Sequence, residues 1–139
     1  MKLPAPRDEQ YGCIWLPRLR EKARLFLAEE LPAEYLRAFC LPPAVDGLFL
    51  THFNTSKEAF LTACTLPEDA FEAWFLTLQD NSPEHIAAWN ESVVNFGRPG
   101  YPMAERFPWA KENFYPNLAH LDLQTVFEAL EYDEGIRTE

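Results

Sequence analysis

The sequence predicts an all-α protein that forms a single compact domain of seven or eight short helices with an extended N-terminal arm. Apolar residues recur at the helical period of 3.6 residues in most segments, and prolines or capping residues mark several helix starts. The one segment that is ambiguous between helix and strand, residues 44–53, has no second strand to pair with. At 139 residues the chain has the length of one domain. We assign residues 1–15 to the arm and residues 16–139 to the α-helical domain.

Prolines separate the arm from the first helix. Pro4 and Pro6 disfavour helical conformation in the residues before them, so the arm either packs across the domain or is mobile. A helix is predicted over residues 16–31, with Pro17 in its first turn. Its apolar face is formed by Leu16, Leu19, Ala23, Phe26, Leu27 and Leu31.

Three cations of this first helix differ in their predicted surroundings. Arg20 lies at the edge of the apolar face, so its stem is expected to pack on apolar side chains while its head meets a carboxylate. Arg18 and Lys22 fall on the opposite side of the helix. The pattern therefore predicts that Arg18 and Lys22 are exposed to solvent.

Four helices are predicted between residues 33 and 78. Residues 33–39 follow Pro32 and form a short helix, and residues 44–53 form the next. The sequence Thr55-Ser56-Lys57-Glu58 has the pattern of a capping box and predicts a helix to about residue 66. Pro67 starts another helix, which places Phe71, Trp74, Phe75 and Leu78 on one face.

The best-defined helix is predicted over residues 82–97. Ser82 is a suitable N-cap, Pro83 suits the first helical position, and Gly97 is suited to end the helix in a left-handed conformation. Beyond it, a helix over residues 103–115 is expected to bend or break near Pro108. Asp122 is predicted to cap a last helix, whose apolar stripe is Leu123, Val126, Phe127 and Leu130.

Asn90 is the polar exception on the apolar side of that best-defined helix. A buried amide without partners costs roughly 1–3 kcal/mol, so Asn90 must find some. One interpretation is that it bonds to the backbone of a neighbouring segment, either residues 98–102 or the N-terminal arm. The other is that it reaches into a ligand pocket beside Trp89. The identity of the partner distinguishes architecture from a binding site.

The chain is acidic, with a net charge of −10 at pH 7, and the charge is unevenly divided. Binding of nucleic acid needs cations that neutralise phosphate, so neither nucleic acid nor an anionic membrane surface is an expected partner. Residues 1–24 carry six Lys or Arg against three acids, a net of +3, which leaves −13 for the rest. This division predicts ion pairs between the two parts. The alternative is a patch on the first helix for an anion or an acidic partner.

The compartment indicated by the sequence is the cytoplasm. The three cysteines, Cys13, Cys40 and Cys64, are scattered and odd in number, which is typical of reduced thiols. The first residues are polar and interrupted by prolines, unlike a signal peptide. No apolar run approaches the ~20 residues of a membrane span.

No catalytic or metal-binding constellation is indicated. A zinc site needs three or four ligands at suitable spacing, whereas His52, His85 and His120 are isolated in the sequence. Cys13 precedes a helix N-terminus, which can lower a thiol pKa, but no histidine lies beside it in the sequence as a base. Neither a phosphate-binding glycine loop nor a nucleophile elbow is present. We therefore predict no cofactor and leave open whether the protein is an enzyme.

Several motifs resemble those of a known family of small bacterial proteins, the domain-of-unknown-function family 5069. The most specific are the Leu-Pro-Arg-Leu piece at residues 16–19 and the Ala-Trp-Asn piece at residues 88–90. The resemblance covers nearly the whole chain and also rests on Pro6-Arg7-Asp8, Gly12, Lys22, Arg24, residues 59–61, residues 72–74 and the acidic ending at residues 129–135. It implies an all-α, single-domain, cytoplasmic protein and brings no established activity.

Two interpretations of function follow. The first is a non-enzymatic soluble binding or protein-interaction module, with a homodimer through an aromatic face as one possibility, motivated by the 14% aromatic content. The second is a small-molecule binding protein or enzyme that takes an anionic ligand. Its pocket would lie near Trp89, Asn90 and Arg98, with Arg18 as a further anion contact. A concave pocket at these residues favours the second interpretation, and an exposed apolar patch favours the first.

Overall fold

Eight α-helices, a short 3-10 helix at Pro116–Leu118 and a small β-hairpin are the regular elements in the described part of the chain. The computed structural model describes residues 3–41, 44–78 and 82–137. The hairpin, β1 (Glu9–Gln10) and β2 (Cys13–Ile14), lies in the N-terminal arm and is antiparallel. The helices are α1 (Leu16–Leu27), α2 (Ala33–Leu36), α3 (Val45–His52), α4 (Lys57–Ala63), α5 (Glu68–Leu76), α6 (Pro83–Val93), α7 (Phe107–Phe114) and α8 (Val126–Asp133). The predicted all-α class with an extended N-terminal arm is confirmed.

Side-chain caps start α4, α6 and α8, though at two of them the predicted cap is wrong. The Ser82 hydroxyl accepts from the His85 amide at 3.2 Å, as predicted for α6. At α8 the cap is Thr125 rather than Asp122, because Thr125 and Glu128 form a reciprocal capping box. At α4 the N-cap is Ser56, one residue after the Thr55 that opens the predicted box.

Helices α1 and α6 end earlier than predicted, where the chain turns. After α1, Glu29 has a positive φ of 59°, which a continuing helix does not allow. Helix α6 ends at Val93, four residues before the predicted stop at Gly97. Gly97 is left-handed, with φ +101°, and a Cβ there would lie 3.0 Å from the Phe107 ring. Gly97 therefore turns the chain where α7 packs closely against it.

An aromatic core joins α3, α4, α5 and α6. The ring centroid of Phe49 lies 4.7 Å from that of Phe53, 6.2 Å from Phe60, 6.4 Å from Phe75 and 5.2 Å from Trp89. All five side chains are buried. Such offset and edge-to-face contacts are favoured by the ring quadrupoles, so the high aromatic content is largely explained by packing.

Helix α1 is buried on two sides, contrary to prediction. Its predicted core residues Leu16, Leu19 and Ala23 are fully buried. Arg18 and Lys22, predicted to be solvated, are only 1% and 6% exposed, because both form ion pairs with carboxylates from distant parts of the chain. Helix α1 is thus buried on two sides, with Arg24 and Leu27 as its exposed residues, so the predicted place of Leu27 on the apolar face is wrong.

In the described ranges, no helix combines the length and apolarity needed to cross a bilayer. The longest of them, α1, has 12 residues, whereas a span needs about 20.

Candidate functional site

Trp89 and Asn90 on α6 both bind the N-terminal hairpin. The Asn90 Oδ1 accepts from the Ile14 amide at 2.9 Å, and its Nδ2 donates to the Gly12 carbonyl at 2.7 Å. The Trp89 Nε1 donates to the Ile14 carbonyl at 2.8 Å. These two side chains thus satisfy both backbone groups of Ile14 in β2 and the carbonyl of Gly12 in the hairpin turn. Asn90 therefore bonds to the backbone of the N-terminal arm and not to residues 98–102, the other segment predicted as its partner.

The four candidate site residues occupy three separate surroundings. Trp89 is 1% exposed and Asn90 is half-buried, side by side against the hairpin. Arg98 is exposed in the turn after α6, where its carbonyl accepts from the Tyr101 amide at 3.0 Å. Arg18 is buried on α1. A shallow depression of about 350 Å³ between α4 and α5 is lined by none of the four residues.

Replacing Asn90 with alanine is expected to lower the free energy of unfolding by about 1–3 kcal/mol, because it leaves backbone groups of the hairpin without partners. Faster hydrogen exchange of the Ile14 amide, which now donates to Asn90, is the local readout. The control is Asn95→Ala, since the Asn95 side chain donates to the Glu91 carbonyl, four residues earlier in the chain, in a bond that is exposed to solvent. Equal destabilisation by both substitutions would contradict the proposed contribution of Asn90.

A buried ion pair joins α1 to α3. The Lys22 Nζ lies 3.3 and 3.2 Å from the two carboxylate oxygens of Asp46. The indole Nε1 of Trp15 donates to the same carboxylate at 2.8 Å. Burial lowers the pKa of Lys22, and the Asp46 carboxylate opposes that effect. Asp46 therefore satisfies two buried donors at once.

Two arginines join the N-terminal part to the acidic C-terminal part. The Arg18 guanidinium makes a bidentate contact with Glu134 and also donates to the Pro4 carbonyl at 2.9 Å. The Arg7 Nε donates to Glu131 at 2.8 Å. With the Lys22–Asp46 pair, these contacts confirm the ion pairing predicted from the uneven charge. The uneven charge thus indicated that Arg18 has an acidic partner, whereas the helical periodicity wrongly indicated that Arg18 is exposed to solvent.

Arg20 makes the contacts expected from its place at the edge of α1. Its guanidinium lies 3.8 Å from the Phe71 ring centroid, and its Nη1 is 2.9 Å from the Glu68 carboxylate. The side chain is 18% exposed while that of Glu68 is 60% exposed. The prediction for Arg20 is confirmed, and the contact connects α1 to α5.

The buried cations have partners of opposite charge, and two cysteine thiols lie in surroundings that keep them protonated. The buried cations Arg18 and Lys22 each face a carboxylate, from Glu134 and Asp46 respectively. Burial raises the pKa of Cys40 to about 12 and that of Cys64 to about 11, so both remain protonated near neutral pH. Among the described residues, no group of three or more His, Cys, Asp or Glu is placed to hold a metal ion.

His52 and His85 form a reciprocal pair between α3 and α6. Each Nε2 contacts the backbone carbonyl of the other residue, at 2.9 and 2.8 Å, and the rings are stacked at 4.2 Å. Because a carbonyl can only accept, both Nε2 atoms carry a proton. Burial lowers the pKa of His52. This pair connects the two helices, and within residues 3–41, 44–78 and 82–137 no third His, Cys, Asp or Glu joins it as a metal ligand would.

The largest exposed aromatic feature in the described ranges lies on α7. Trp109 is 49% exposed and Phe114 is 50% exposed, and their ring centroids are 5.3 Å apart. Arg106 lies 5.5 Å from the Trp109 ring, and Arg37, which follows α2, lies 5.5 Å from the Phe114 ring. With the exposed Glu112, these residues define what we call the α7 surface. The other large exposed apolar side chains are aliphatic: Leu27, Leu36, Leu41, Leu66, Leu76 and Ile136.

Sequence reasoning did not single out the α7 surface. The high aromatic content of the chain indicated that some rings could be exposed, but composition alone does not distinguish exposed rings from rings in the core. Trp109 follows Pro108 in the first turn of a short helix, of which Phe107 is buried. The exposure of Trp109 therefore depends on which face of α7 packs against the rest of the domain.

Comparison with known proteins identifies the family. The family model described as Domain of unknown function (DUF5069) matches residues 2–136. No curated protein and no solved structure matches the chain. Because the match covers nearly all 139 residues, the chain belongs to the DUF5069 family.

Proposed function

We propose that this protein is a non-enzymatic binding module that acts through protein–protein interaction, with the α7 surface as its docking site. The observation that carries the proposal is the contact between Trp109 and Phe114, two half-exposed aromatic rings. Tryptophan and arginine are enriched where interfaces gain most of their binding energy. Adjacent exposed aromatic rings flanked by cations are typical of such a site.

The alternative, a pocket for an anionic small molecule near Trp89, Asn90 and Arg98, has less support. The polar atoms of Trp89 and Asn90 are engaged by the hairpin backbone. Arg98 lies in the turn beyond α6, and the cation of Arg18 is matched by Glu134. An anionic ligand at Trp89, Asn90 or Arg18 would have to displace contacts that hold the fold together.

The proposed module works in the bacterial cytoplasm with protein partners rather than with nucleic acid or lipid. The net charge of −10 disfavours phosphate-rich partners. The two thiols of Cys13 and Cys40 are buried and free, which is compatible with a reducing compartment.

The test is site-specific photo-crosslinking in cells, with a photoreactive phenylalanine at Asn113. This position is exposed on α7 beside Trp109 and leaves both aromatic rings intact. We expect a defined crosslinked product that is lost when Trp109→Ala is added. The matched control places the probe at Glu84, an exposed residue of α6. A product of equal yield at Glu84, or one that survives Trp109→Ala, would refute the docking site.

A further inference from the structure

We infer that the occupant of the α7 surface is a second copy of this chain, bound with the two α7 helices antiparallel and Trp109 near the two-fold axis. This inference rests on the proposed function and names its partner. Symmetric pairs in which the same patch contacts itself are the commonest form of protein oligomer.

The charge of the molecule restricts where two copies can approach. With a net charge of −10 each, two copies repel one another over most of their surfaces. Residues 105–114 are locally neutral, since Glu105 and Glu112 are balanced by Arg106 and Lys111. Arg37 beside Phe114 adds a further positive charge. The α7 surface is therefore a place where apolar contact is not opposed by like charge.

The order of residues along α7 is self-complementary. In an antiparallel pair centred on Trp109, residues equally far before and after Trp109 lie at the same level along the two helices. Arg106 is three residues before Trp109 and Glu112 is three residues after it. Arg106 of each copy then lies within reach of Glu112 of the other, and symmetry makes this contact twice. The two Trp109 rings meet between these ion pairs, where the surrounding charged side chains exclude water.

Leu36, at the end of α2, is a further exposed apolar side chain. It is 45% exposed and precedes Arg37, whose guanidinium lies over the Phe114 ring. A second copy on this surface would cover Trp109 and Phe114. Because α7 is only 8 residues long, we expect a weak dimer of modest interface area.

The inference is tested by sedimentation equilibrium of the full chain with charge reversals. At several hundred micromolar protein, the wild type is expected to approach twice its monomer mass of 16.1 kDa. Arg106→Glu and Glu112→Arg should each raise the dimer dissociation constant at least about ten-fold, because like charges then face each other twice. The double variant Arg106→Glu/Glu112→Arg should return to within about three-fold of wild type.

The two single reversals move the net charge in opposite directions, which distinguishes a specific ion pair from general repulsion. If overall charge governed association, Arg106→Glu would weaken the dimer and Glu112→Arg would strengthen it. Glu84→Arg, the same charge change at an exposed residue of α6, should leave the dissociation constant unchanged or lower it. Unchanged thermal unfolding of every variant excludes misfolding as the cause.

Three results would overturn the inference. They are a wild-type monomer at several hundred micromolar, a dimer insensitive to the single reversals, and a double variant that stays as weak as the singles. The first of these, together with an Asn113 crosslink to a different protein, would leave the proposed docking surface intact and replace only its occupant. If the probe at Asn113 gives no crosslinked product that is lost on Trp109→Ala, the proposed function itself is refuted.

Discussion

Replacing Trp89 with alanine is expected to lower the free energy of unfolding by about 3–5 kcal/mol from lost burial and the cavity alone. The indole is 1% exposed and contacts the rings of Phe49 and Phe96 at centroid distances of 5.2 and 5.7 Å. Its loss also leaves the Ile14 carbonyl without this donor, which adds about 1 kcal/mol or more. Denaturant unfolding followed by far-ultraviolet circular dichroism measures the change. Since domains are stable by only about 5–15 kcal/mol, a loss this large is a substantial fraction of the total stability.

Two variants separate the parts of this effect. Trp89→Phe keeps a large apolar ring but removes the indole N–H, so it is expected to cost less than Trp89→Ala. Trp109→Ala is the matched control, since the same side chain is removed from a half-exposed position. In the monomer it is expected to change stability by less than about 0.5 kcal/mol. Comparable losses at the two tryptophans would mean that Trp89 is not at the centre of the core.

Replacing Asp46 with alanine is expected to destabilise the fold by about 3–5 kcal/mol, because it leaves Lys22 as a buried cation without its counter-charge. Asp46 is 2% exposed and accepts from both Lys22 and Trp15. Since burial already lowers the pKa of Lys22, removing the carboxylate lowers it further and favours the neutral amine. Thermal and denaturant unfolding measure the loss.

A double-mutant cycle shows whether the charge is the cause. The variant Lys22→Met/Asp46→Ala should be more stable than Asp46→Ala, because it removes the buried cation along with its partner. The control is Glu68→Ala, which breaks the Arg20 ion pair where the carboxylate is 60% exposed. That change should cost less than about 1 kcal/mol. A cost at Asp46 no greater than at Glu68 would contradict the buried pair.

Local sequence chemistry decided where most helices begin. Ser82 with Pro83 starts α6 as predicted, because capping and the missing proline N–H act within one turn of the chain. Asp122 failed as a cap for the same reason: Thr125 and Glu128 are a better local pair, with the reciprocal bonds of a capping box. Choices between nearby caps depend on backbone geometry that residue types alone do not give.

The sequence by itself determined the helical class, most helix starts and the pairing of the basic N-terminal part with the acidic remainder, since periodicity, caps and net charge are properties of the chain. Tertiary structure decided the rest. Arg18 and Lys22 are buried because segments far along the chain cover the polar side of α1 and place carboxylates against them. The helical period of the sequence does not predict which segments pack on that side. Asn90 bonds the hairpin for the same reason: the amide required a partner, and only the fold brought Gly12 and Ile14 to it. Burial of Trp89 and exposure of Trp109 likewise depend on long-range packing, which residue type does not encode.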